Sequence, residues 1–103
     1  SFCLDTGHIL SGFSGPLDLF DVLDLLLPRL AEIHLHDSPR WMPGTDIVYG
    51  KDHQALGLGD LNLGRLLDRL AEAQYGGPIV LELTVPEAIA SLDVIRRVRP
   101  HLL

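Results

Sequence analysis

Apolar and polar positions along the chain fall into one pattern used three times: a short apolar run ending in a polar residue, a loop, and a helical stripe. The first run, residues 2–5, ends in a carboxylate, and Gly7, Gly12 and Gly15 predict a loop after it. Ser14 suits an N-cap and Pro16 a first helical turn. Over residues 17–27 apolar side chains crowd all sides except a stripe of Asp18, Asp21 and Asp24. That predicts a helix buried over most of its surface, with one wet acidic edge, ended by Pro28.

Residues 33–36 alternate with period two and predict a strand. Residues 37–60 then read as a long loop, holding Pro39, Pro43, Gly44, Gly50, Gly57 and Gly59 with Trp41 and Tyr49 among them. Loops of that length inside compact domains are usually functional or disordered. Asn62 is placed to cap a helix running to about Ala73, with Leu63, Leu66, Leu67 and Leu70 as its stripe. Gly76-Gly77-Pro78 ends that helix and launches a third strand over residues 79–83. Pro86 starts a last helix with Ile89, Leu92, Ile95 and Val98 on one face, and Pro100 closes it. Strands alternating with helices imply parallel strands joined by right-handed crossovers. The fold class is therefore α/β, either doubly wound or a barrel.

Composition narrows the partners more than the fold. A net charge of −6 offers no broad basic face, so neither nucleic acid nor an anionic membrane is an expected partner. The longest apolar run, Leu25-Leu26-Leu27, is stopped by Pro28, far short of a membrane span. One cysteine, Cys3, builds no intrachain disulfide framework, so a reducing, cytoplasmic setting is the default. Cys3 itself reads as a small buried residue with no basic neighbour to make it a nucleophile. The chain opens inside the first strand, so residues preceding Ser1 are expected.

Strand alternation sorts the chemistry. Phe2 and Leu4 share one face, Cys3 and Asp5 the other; Ile33 and Leu35 oppose His34 and His36; Ile79, Leu81 and Leu83 oppose Val80 and Glu82. Each strand sends large aliphatics to one side and metal-capable groups to the other, near its C-terminal end. A sheet with one solvated face would make Asp5, His34, His36 and Glu82 mere surface. Helical connections argue instead that both faces are covered, where isolated carboxylates and imidazoles are costly unless partnered. The C-terminal mouth of a barrel supplies such a place. If the strands are neighbours, Asp5, His34 and Glu82 form a ligand set suited to Mn²⁺, Mg²⁺, Co²⁺ or Zn²⁺, with a further ligand expected from outside the chain.

Four segments together carry a resemblance. Leu4-Asp5-Thr6-Gly7-His8 resembles the Asp-x-x-His element of the xylose isomerase-like TIM-barrel superfamily, which includes sugar phosphate isomerases and epimerases and AP endonuclease family 2. Ile33-His34-Leu35-His36-Asp37 resembles its next strand; residues 52–60 its Asp-His-x-x-Leu-Gly-x-Gly loop; Ile79-Val80-Leu81-Glu82 its final strand. The order matches strands six to eight of a (β/α)8 barrel, so the resemblance implies a partial TIM barrel, with residues 1–103 as the C-terminal part of one domain.

The resemblance further implies that Asp5, His34 and Glu82 bind a divalent metal with a glutamate from the fourth strand, outside this chain. In the epimerase branch that glutamate and Glu82 also move a proton at the carbon next to a ketose carbonyl, while the metal polarises the carbonyl and stabilises the enediolate. His8 matches a substrate-contacting histidine, and Arg40 an arginine on substrate oxygens. In the endonuclease IV branch three zinc ions cleave phosphodiesters, and His8, His34 and His53 match ligands. That branch carries Asp-x-His in the loop, and its aspartate falls on Lys51, with Asp52 one residue away.

Other assignments stay open on residues alone. His8 is a loop histidine or a site residue. His36 is a ligand or a hydrogen-bond partner of one. His53 holds the loop or binds a second metal. Arg40 binds an anion or pairs with an acid. Trp41 lines a sugar pocket or anchors the loop by burial. Asp37 and Ser38 start the turn, Gly57-Leu58-Gly59 turns into the helix, and His101 is inert. Three readings follow: a metal-dependent isomerase or epimerase of a small sugar-like substrate, a metal-dependent phosphodiesterase on the same fold, and a fragment inactive without the rest of the barrel. A homo-oligomer is compatible with each.

Overall fold

The computed structural model describes residues 2–12, 15, 17–42, 44 and 53–102. Ser14, Pro16, Pro43, Tyr49, Gly50, Lys51 and Asp52 lie outside the described residues. Three parallel strands form one sheet in the order β1 (Phe2–Asp5), β2 (Leu30–Leu35), β3 (Ile79–Leu81). Helices α1 (Thr6–Leu10), α2 (Leu19–Leu26), α3 (Leu63–Glu72) and α4 (Val85–Val98) connect and follow them, with 3-10 turns at Leu27–Arg29 and Pro100–Leu102.

The core lies on the helical side. Leu4, Ile33 and Leu35 from the sheet meet Leu19, Phe20 and Leu23 of α2, Leu63, Leu66, Leu67 and Leu70 of α3, and Ile95 of α4. Each such buried side chain contributes about 1.5–3 kcal/mol relative to exposure. Asn62 caps α3 by accepting from the Arg65 N–H, as its position predicts.

Several expectations are corrected. Asp5 caps a short helix at residues where a loop is predicted, so His8 sits in α1. Helix α2 begins at Leu19 because Asp18 turns its carboxylate back onto the Phe20 and Asp21 N–H groups; Asp18 is a cap and not part of the acidic edge. Helix α4 starts from Thr84, whose hydroxyl and the Glu87 carboxylate form a reciprocal capping box. On α4, Ile89 is exposed, and Ser91 and Ile95 are the buried positions. Strand β2 begins earlier than its alternating pattern, and β3 is shorter than residues 79–83 with Ile79 exposed. Among the described residues the face opposite the helices is not covered as expected: Cys3 and Val80 are exposed there, and Glu32, His34 and Glu82 are half-buried.

Candidate metal centre

A register irregularity decides what meets on that face. Phe2 pairs with Leu30, but Cys3 pairs with Glu32, Leu4 with Ile33 and Asp5 with His34, so Ala31 is skipped. In an unbroken register Asp5 would lie opposite Ile33, whose side chain points the other way. The slip aligns Asp5 with His34, which pairs onward with Val80. Glu82, two residues beyond Val80, returns to the same face, and its N–H reaches the Leu35 carbonyl at 3.4 Å. Ligand atoms of Asp5, His34 and Glu82 all lie within 4.8 Å of one another. The three residues predicted to converge do converge.

Each predicted ligand has its own support. His34 Nε2 lies 2.9 Å from Glu32 Oε1, and Nδ1 lies against Glu82 Oε1. Carboxylates only accept, so one imidazole between two of them calls for a cation on Nδ1, either a proton or a metal ion. The Glu32 hydrogen bond accordingly raises the His34 pKa above its ordinary value; burial opposes this and Glu82 reinforces it. Glu32 was not among the predicted site residues. Its signal was available, because Glu32 and His34 are spaced by two along β2 and His36 continues the spacing just past its end.

Asp5 is held from the other side by His36, which is fully buried. The His53 N–H donates to His36 Nδ1 at 2.7 Å, which leaves Nε2 to carry the proton and donate to Asp5 Oδ1 at 2.6 Å. His36 therefore orients Asp5 through one fixed tautomer. Thr6 Oγ1 fixes the His36 backbone, accepting from its N–H at 3.1 Å and donating to its carbonyl at 2.8 Å. Gly7 makes room: a Cβ there would stand 2.1 Å from the His36 ring. Asp5 Oδ1 also accepts from the His8 N–H at 3.0 Å. Burial pushes the Asp5 pKa up, but the bonds from His36 and His8 outweigh it and hold the carboxyl below its ordinary value.

His8 and His53 flank the two carboxylates. His8 Nδ1 is 3.3 Å from Asp5 Oδ2, and His53 Nε2 is 3.3 Å from Glu82 Oε2. His53 stacks on His36 at 4.1 Å and adopts φ of 58° to do so. Cys3 is exposed and not buried as expected. Partial desolvation of its thiol and the surrounding Glu32, Asp5 and Glu82 carboxylates raise its pKa, which does not favour a nucleophile.

Arg40 and Trp41 lie on the arm leaving β2. Arg40 is exposed and its N–H donates to Asp60 Oδ2 at 2.7 Å. Trp41 is half-buried; its N–H donates to the Leu10 carbonyl at 2.7 Å, and its side chain packs on Gly12, where a Cβ would lie 2.7 Å away. Asp37 does more than start a turn. Buried, it accepts from the N–H groups of Ser38, Gly57 and Leu61 at 2.8, 3.0 and 2.9 Å. Its backbone bridges Gln54, so the loop returns His53 to the strand tips. An open cleft of about 510 Å³ beside the site is lined by His53, Leu81, Glu82, Leu83, Thr84 and Glu87.

The model of one protein family, described as xylose isomerase-like TIM barrel, matches residues 1–98. The chain belongs to the xylose isomerase-like TIM-barrel family. A search of curated proteins returns no match. Within this family's architecture, the three parallel strands and the helices packed on one face are βα units of a barrel, and the candidate ligands stand at the C-terminal strand ends where barrel active sites lie. Among the described residues no helix is long and apolar enough to cross a membrane.

Proposed function

We propose that this protein is part of a metal-dependent isomerase or epimerase acting on a small sugar or related hydroxy-carbonyl compound in the cytoplasm. The observation that carries the reading is the convergence of Asp5, His34 and Glu82, with Asp5 braced by His36 and His34 by Glu32. Two carboxylates and one imidazole fit Mn²⁺, Mg²⁺ or Co²⁺, and Zn²⁺ is also within their chemistry. A bound ion supplies Lewis-acid polarisation of a substrate carbonyl.

The chain's own groups supply the rest. Glu82 borders both the ligand cluster and the open cleft, so its carboxylate is placed to take a proton from the carbon beside a carbonyl. His8 and His53 flank the two carboxylates and suit contacts with substrate hydroxyls. Among the described residues the cleft is lined by the acids Glu82 and Glu87 and by no lysine or arginine, which favours an uncharged polyhydroxy substrate over a phosphodiester. In this reading the chain supplies strands six to eight of one barrel domain, and the remaining ligand and second acid/base group come from other strands.

The phosphodiesterase reading draws on His8 and His53 standing beside Asp5 and Glu82. Against it, Lys51 occupies the position expected of a loop aspartate ligand. The test is Glu82→Gln in the intact enzyme, assayed on ketoses with Mn²⁺. We expect a folded protein whose turnover falls by orders of magnitude, since both metal binding and proton transfer involve Glu82. Near-native turnover would remove Glu82 from the mechanism.

A further inference from the structure

His34 belongs to a second cluster on the same face. Ligand atoms of Cys3, Glu32 and His34 also lie within 4.8 Å of one another. The skipped Ala31 creates this cluster too, because it sets Cys3 directly opposite Glu32 and leaves His34 two residues further along β2. Cys3 is exposed, so an ion has a route in. One sulfur, one imidazole nitrogen and one carboxylate oxygen make a three-ligand set that leaves a fourth tetrahedral position for water.

The donors differ in kind from those of the neighbouring cluster. Asp5, His34 and Glu82 offer two oxygens and one nitrogen, suited to Mn²⁺ or Mg²⁺; replacing one carboxylate by a thiolate selects thiophilic ions. The two sets share one imidazole. His34 presents Nε2 toward Glu32 and Nδ1 toward Glu82, and a neutral imidazole has only one nitrogen lone pair for a metal.

We propose that Cys3, Glu32 and His34 form a binding site for a thiophilic divalent cation such as Zn²⁺ or Cd²⁺, and that its occupation excludes a hard cation from Asp5, His34 and Glu82. The Cys3 site stands independently of the proposed reaction; the exclusion rests on that reading. Binding converts the thiol to a thiolate and releases its proton to solvent, with no change of oxidation state.

The experiment titrates the metal-free protein with Cd²⁺ and follows the ultraviolet thiolate-to-cadmium charge-transfer absorption. The expected result is saturation at one Cd²⁺ per chain. Cys3→Ser should abolish the band, and Glu32→Gln should weaken binding by about 10-fold to 100-fold. Circular dichroism establishes that each variant is folded. A folded native protein without the band overturns the site, as does a band whose affinity is unchanged in Glu32→Gln, which would mean that Glu32 takes no part in binding. A second arm loads Mn²⁺ and adds Cd²⁺, reading bound Mn²⁺ by electron paramagnetic resonance. Displacement in the native protein but not in Cys3→Ser supports exclusion, and simultaneous binding of both ions overturns it. A native protein that shows the cadmium band but never binds Mn²⁺ keeps the Cys3 site while removing both the exclusion and the metal reading of the proposed function.

Discussion

His34 carries a carboxylate on each ring nitrogen, so protons and metal ions compete for the same place. Its raised pKa means that the metal-free imidazolium persists above the ordinary imidazole value of about 6.5. A ligating nitrogen must lose that proton, so Mn²⁺ affinity should climb with pH and level off only above the raised value. Glu32→Gln removes the largest cause of the shift, and the climb should then move to lower pH. Calorimetric Mn²⁺ titrations across a pH series check this; an unshifted profile in Glu32→Gln would detach Glu32 from His34. Folding stability of the metal-free protein follows the same signs. The His34 contribution, from a raised pKa, is present at low pH and lost as pH rises through that value. The Asp5 contribution, from a lowered pKa, is present above about 3.9 and lost as pH falls through the lowered value. At this scale the shared face of Asp5, His34 and Glu82 is legible, since it follows from period-two alternation. The register slip at Ala31 leaves no local mark, and with it the Cys3–Glu32 pairing is not legible.

Elements read from the sequence survive where a strong apolar stripe and a capping residue agree, as in α3 with Asn62 and its four buried leucines. They fail where a polar residue does local backbone work. Asp5, Asp18 and Thr84 each cap a helix; of the three only Thr84, three residues before Glu87, carries a capping signature in the sequence, and Asp5 caps α1 while also standing in the candidate site. The long loop is the clearest case. Its glycines and prolines give no hint that Asp37 is buried and gathers three backbone N–H groups, or that Gly59 must lack a Cβ, which would stand 2.5 Å from Asp37 Oδ1. Asp37→Ala leaves those donors without their acceptor in a buried setting, with an expected loss on the order of 3 kcal/mol. The loop also brings His53 to His36 and Glu82, so the same variant should loosen the site. Urea unfolding measures the first effect and Mn²⁺ titration the second. A loss below about 1 kcal/mol would show that water replaces the carboxylate without cost.

At the scale of the molecule, the described residues leave the sheet with two open edges and one face without a helical layer. Strands β1 and β3 are the outer strands of the described sheet, and β1 carries exposed Phe2 while β3 carries exposed Ile79 and Val80. A closed barrel has no such edges, because every strand pairs on both sides. An unpaired edge bearing apolar side chains is a template for another strand. The 103-residue chain should therefore associate in a concentration-dependent way, visible as a rising sedimentation coefficient. Ile79→Lys places a charge on the β3 edge, away from Glu82 along the strand, and should shift the distribution toward monomer while leaving Cd²⁺ and Mn²⁺ binding in place. The metal readout matters, because an unfolded variant would also change its sedimentation but would lose the ligand clusters. A chain that stays monomeric at every concentration and melts sharply would mean that these edges are protected, and that the three βα units are self-sufficient without closure.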